Sequence, residues 1–149
     1  MPATKRSLAS QNKSNGKIAP DFLAAFAALK NILAPYEKDL HVQPERPGRY
    51  WMETKYPAFK GKPLFFAGVA INKNYVSYYL MPIYVKPELA KNLSLELKKR
   101  KQGKCCFNFA VPDPVLFQEL ADMTRAGFAC YQDKKFLAAM DAVGKAGRK

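Results

Sequence analysis

Histidine, cysteine and acidic side chains are all scarce in this sequence, with His 1, Cys 3 and Asp+Glu 12 among 149 residues. The single His41 rules out a histidine cluster, and it stands in a Pro-rich connector with no Ser or Cys nucleophile motif beside it. Cys105 and Cys106 are adjacent and Cys130 stands alone, with no CxxC. Neighbours on a strand point to opposite faces, so the vicinal pair does not share a metal there. An odd count of cysteines without a secretory signal fits free thiols in a reducing compartment, read here as buried and structural. The acids are scattered singly, without a carboxylate pair or an EF-hand run. No GxSxG, HExxH, GxGxxG or GxxxxGK[ST] occurs. No apolar run approaches the roughly 18 residues that cross a bilayer. No apolar stretch of the signal-peptide kind follows Lys5-Arg6, and the early bases form no amphipathic targeting repeat. Enzyme, metal, cofactor and membrane readings all lose ground, and a cytoplasmic location is expected.

What the chain does have is base and apolar bulk: Lys+Arg 25, a net charge of +13, and 48% hydrophobic residues. One domain of ordinary size is expected, since single cores typically span about 100–200 residues. Much of the positive excess lies at the ends. Residues 1–19 contain Lys5, Arg6, Lys13 and Lys17 with no acid, and read as a disordered basic tail. Residues 134–149, rich in Lys, Ala and Gly, read as a second basic tail, leaving 20–133 as the folded domain.

Periodicity places the elements. Phe22, Phe26, Leu29, Leu33 and Tyr36 share one helix face, with Asp21 at its start and Pro35 ending it. A connector with Pro44 and Pro47 follows, then a strand at 49–55, in which Tyr50, Met52 and Thr54 oppose Trp51 and Glu53. Residues 56–63 read as a loop. The continuously apolar 64–72 reads as a central strand, and 75–84 as its partner, with Pro82 at an edge or bulge. A helical stretch opens at Pro87, carrying Leu89, Leu93 and Leu97, and Ser94 offers a cap for a shorter second segment after a break near Asn92. Strand 104–110 turns Cys105, Phe107 and Phe109 inward. Asp113-Pro114 then opens a helix that buries Leu116, Phe117, Leu120, Met123 or Thr124, and Phe128. The order α-β-β-β-α-β-α, with consecutive strands, predicts an α+β fold with an antiparallel sheet packed by helices.

The blocks LFFAGVAINKNYVSYYLMPIY, LSLELKKRKQGKCCFNF and DPVLFQELADMTRAGF resemble the YdhG-like domain family of unknown function, over about residues 20–132. The most telling piece is KQGKCCFNF following a Ser-Leu-x-Leu helix start. The resemblance implies a small, generally cytoplasmic bacterial protein with an antiparallel sheet and helices on one side. It also brings in a frataxin-like iron chaperone as a relative. Iron delivery of that kind uses an acidic ridge on the first helix, with hard oxygen ligands. Here residues 21–34 carry only Asp21 and Lys30, with Glu37 and Asp39 beyond, which disfavours iron.

Two constellations remain as candidate sites. The basic run KKRKQGK places Lys98, Lys99, Arg100, Lys101 and Lys104 near a helix end, with Lys86 close by. Cations there complement the helix dipole and also suit an anion or a nucleic-acid phosphate. Trp51, Phe66, Tyr78, Tyr79 and Tyr84 suggest an aromatic pocket wall for a small ligand, although cross-strand packing accounts for such a row too. The expected function is a non-enzymatic binding module for a small ligand or protein, with weak, non-specific nucleic-acid binding through the tails and the basic junction as the alternative.

Overall fold

The computed structural model describes residues 21–44, 46–55 and 63–147. The reading of 1–19 as a tail and the loop at 56–62 fall outside the described residues. Six antiparallel strands form one sheet in the order β1-β2-β3-β4-β6-β5, and the fold is α+β. No helix among the described residues is long and apolar enough to cross a membrane.

Helix α1 spans Phe22–Leu33, started by the Asp21 carboxylate, which accepts from the Ala24 N–H at 3.1 Å. Ala25, Leu29 and Leu33 bury its inner line, and Pro35 tightens the exit into a 3-10 turn, Ala34–Tyr36. The sheet is built from β1 (Leu40–Val42), β2 (Arg49–Thr54), β3 (Phe65–Ile71) and β4 (Val76–Leu80), then β5 (Lys101–Gln102) and β6 (Cys106–Phe109). Helix α2 (Pro82–Val85) and a 3-10 turn, Pro87–Ala90, lead to α3 (Leu95–Arg100). Helix α4 spans Pro114–Cys130 behind an Asp113 cap, and α5 spans Lys134–Gly147.

Several sequence expectations change. Strand 75–84 stops at Leu80, because Pro82 takes the first position of α2, where its missing N–H costs nothing. The helix opening at Pro87 breaks, and the Ser94-capped segment is the true one: Ser94 Oγ accepts from the Leu97 N–H at 3.2 Å. Two short edge strands, β1 and β5, come from stretches read as a connector and a helix end. The second basic tail is a helix. Phe136, Leu137 and the 3% exposed Met140 of α5 pack on the core, and Tyr131 donates to the Phe65 carbonyl beneath them. Composition missed this because three large apolar side chains outweigh the local charge once a surface exists to receive them.

Register decides the two faces. Tyr50, Val69, Tyr78 and Phe107 lie side by side across β2, β3, β4 and β6, as do Trp51, Gly68, Tyr79 and Cys106 on the opposite face. The first face is covered by α1 and α4. There Phe66 meets the rings of Tyr36, Phe128 and Tyr131, and Phe109 meets Phe117 edge-on at 4.8 Å. Tyr78 is fully buried, and its hydroxyl donates to Thr124 Oγ1 at 2.6 Å, which in turn donates to the Leu120 carbonyl.

Burial pushes the Tyr78 phenol well above its ordinary 10.0. The folded chain therefore keeps this proton to higher pH than the unfolded chain does. Stability is complete below the ordinary value and falls as pH rises above it. Urea midpoints measured from about pH 8 to about pH 11 should decline more steeply for the wild type than for Tyr78→Phe. Parallel declines would show that another group carries the alkaline loss.

Candidate functional site

The predicted aromatic wall does not exist as one surface. Phe66 and Tyr78 are in the core at 0% exposure, whereas Trp51 and Tyr79 lie on the opposite face of the sheet, and Tyr84 belongs to α2. Tyr78 and Tyr79 are neighbours on β4 and take opposite faces by ordinary alternation, Tyr84 lies beyond the end of that strand, and Phe66 is turned inward by a β-bulge. Met52 pairs with Ala67 and Glu53 with Phe65, so Phe66 is an extra residue on β3. It turns inward beside Ala67, and Phe65 turns outward to stack on Trp51 with ring centroids 4.7 Å apart. The outer face then continues as a polar ladder. Asn72 donates to Ser77 at 2.8 Å, Ser77 to Asn108 at 2.6 Å, and Asn108 to Gln102 at 2.7 Å.

What the fold does assemble is three of the five bases of the basic run around Tyr84. A cleft of about 460 Å³ is lined by Tyr84 and Ile83 of α2, Leu93 before α3, and Lys98, Lys101 and Lys104. Each part has a local cause. Ser94 starts α3 and is itself gripped by Glu119 of α4, whose carboxylate accepts from Ser94 N–H at 2.6 Å and from its hydroxyl at 2.7 Å. Leu97 anchors α3 in the core, which leaves Lys98 on the flank of the cleft. The chain then extends into β5 and reverses at Gly103, whose φ of 77° suits a residue without a side chain. That reversal brings Lys104 Nζ to 4.9 Å from the Tyr84 ring centroid, while Lys101 Nζ donates to the Gly103 carbonyl at 2.7 Å. No acid is among the cleft's lining residues.

The other predicted cations stand apart from the cleft lining. Lys99 pairs with Glu96 at 3.7 Å, with both side chains exposed, Arg100 is exposed on the last turn of α3, and Lys86 caps the end of α2. Sequence reasoning missed Ile83 and Leu93 as walls of the cleft. The cleft-facing role of Pro87 and its neighbours had no signal beyond their apolarity.

The remaining chemistry-bearing groups are committed elsewhere. Cys105, Cys106 and Cys130 are free and half-buried rather than buried, and burial pushes the Cys105 and Cys106 thiols up, away from the thiolate form a nucleophile needs. Asp21 caps α1, and Glu37 accepts from the Tyr50 hydroxyl. Among the described residues no three His, Cys, Asp or Glu side chains come together as a metal site. No family model matches this chain, and no curated protein or solved structure matches it either.

Proposed function

We propose that the chain is a YdhG-like, cytoplasmic, non-enzymatic binding module whose ligand is a small phosphate-bearing molecule held in the Tyr84 cleft. The observation that carries this is the convergence of Lys98, Lys101 and Lys104 on one concave surface with no acid in its lining. Ammonium groups act as compact point charges, a good match to a phosphate that presents oxygens in several directions. Ile83, Leu93 and the Tyr84 ring supply an apolar side for the rest of the ligand. The volume lies within the range of about 300–1,000 Å³ typical of small-molecule sites. The family kinship rests on the residue pattern KQGKCCFNF and its flanks.

Calorimetric titration of the full chain with inorganic pyrophosphate tests this. Binding should be saturable, weaken as salt rises, and fall about tenfold in Lys98→Ala and again in Lys101→Ala, each loss matching one charge-assisted contact. Affinity that is absent, or indifferent to both substitutions, would sink the reading. Nucleic acid offers the same phosphate, and the exposed Lys99 and Arg100 outside the cleft favour it as the second reading. An oligonucleotide that binds far more tightly than pyrophosphate, and loses affinity in Lys99→Glu/Arg100→Glu, would put nucleic acid first.

A further inference from the structure

A second cleft, of about 500 Å³, opens near the other edge of the sheet, where α1 passes the connector between β1 and β2. It shares no lining residue with the Tyr84 cleft. Phe26 and Lys30 reach it from successive turns of α1, and Glu37 enters just after the 3-10 turn. Arg46 and Arg49 come from the connector, which folds back on itself through an Arg49 N–H to Arg46 carbonyl bond of 3.1 Å. Tyr50 forms part of the wall, 6% exposed.

The charges in this cleft do not balance. Among the described residues lining it, Lys30 and Arg46 meet one carboxylate, Glu37, which already accepts the Tyr50 hydroxyl proton in a hydrogen bond. Lys30 Nζ lies over the Tyr50 ring, 5.1 Å from its centroid, whereas the Arg49 guanidinium is turned to the other face of the sheet, over Trp51 at 4.3 Å. Cation–π contacts at partly exposed positions are weak, about 0.5–1 kcal/mol, so Lys30 is released readily to a better partner. An arginine fork matches the paired oxygens of a carboxylate or phosphate. Phe26 and the Tyr50 ring provide apolar walls at the same place.

We infer that this cleft is a second ligand site, which takes a small organic oxyanion, a carboxylate or phosphate carried on an apolar ring. Arg46 and Lys30 hold the oxyanion, and the ring lies against Phe26 and Tyr50. Tyr50 keeps Glu37 occupied, so this acid does not repel the ligand at full strength.

The test uses the full chain with benzoate and phenyl phosphate as probes and neutral benzamide as the control, read by calorimetry. At least one acid should bind saturably, benzamide should not, and Arg46→Ala should weaken binding about tenfold. Arg46 is exposed on the connector, so its removal leaves the core intact. Lys98→Ala should leave benzoate affinity unchanged, which separates this site from the phosphate-binding Tyr84 cleft. Preference for one probe identifies the oxyanion as carboxylate or phosphate. No heat with either acid, equal binding of benzamide, equal affinity in Arg46→Ala, or a loss of benzoate affinity in Lys98→Ala would each overturn the proposal.

Discussion

Phe107→Ala is expected to lower the unfolding free energy by about 3–5 kcal/mol, a large part of the roughly 5–15 kcal/mol available to a domain of this kind. Phe107 is fully buried on β6, flanked in the sheet by Tyr78 of β4 and Lys101 of β5. Truncation leaves a cavity under β6, next to the edge strand β5, where the paired strands cannot fully close over it. Cys106→Ala, one residue earlier on the opposite and less buried face, should cost less than about 1.5 kcal/mol, in keeping with a small change at a half-buried position. Urea melts of the two variants decide the matter. Similar midpoints for both would mean that β6 does not present Phe107 to the core.

Gly68→Ala is the second large effect, and its origin is crowding. A Cβ at this position would lie 2.3 Å from Cε3 of Trp51, far inside contact distance. Gly68 sits in β3, paired with Trp51 on one side and Tyr79 on the other. Its neighbours cannot give way cheaply, because the Trp51 ring is also stacked on Phe65 and lies beneath Arg49. Overpacking of this sort costs about 1–3 kcal/mol. In Trp51→Ala the same substitution should cost little, so a double-mutant cycle should show strong coupling between the two positions. Additive losses would mean that strand propensity, not the ring, explains the glycine.

Some of this architecture was legible residue by residue. Asp21, Ser94 and Asp113 do cap helices, as their chemistry predicts, since each side chain accepts an N–H three residues on. Tyr50 and Met52 share one face as the alternation at 49–55 predicts, and Phe107 and Phe109 face inward as read for 104–110, whereas Cys105 is only half-buried. The aromatic wall failed for two reasons. Tyr78 and Tyr79 are neighbours on β4 and so take opposite faces, and the bulge that turns Phe66 inward is visible only against the register of β2. The candidate cations divided for a related reason. Lys98, Lys99, Arg100 and Lys101 are consecutive, but α3 ends and β5 begins between Arg100 and Lys101, so their directions follow no single period.

By itself, then, the amino-acid sequence determined what local physics controls: an α+β chain with an antiparallel sheet, the starts of α1, α3 and α4, the alternation of its regular strands and a strong positive excess. These depend on capping, on periods of 2 and 3.6 residues, and on composition, all of which act over a few neighbouring residues. Tertiary structure decided the rest. It turned a basic C-terminal stretch into α5 by offering a surface to Phe136, Leu137 and Met140. It turned Phe66 to the inner face through a bulge against β2, and it gathered Tyr84 with Lys98, Lys101 and Lys104 into one cleft. It also set Lys30 of α1 beside Arg46 of a distant connector. Each of these outcomes depends on which segments pack together across the sheet, and non-local packing leaves no period in the sequence to read.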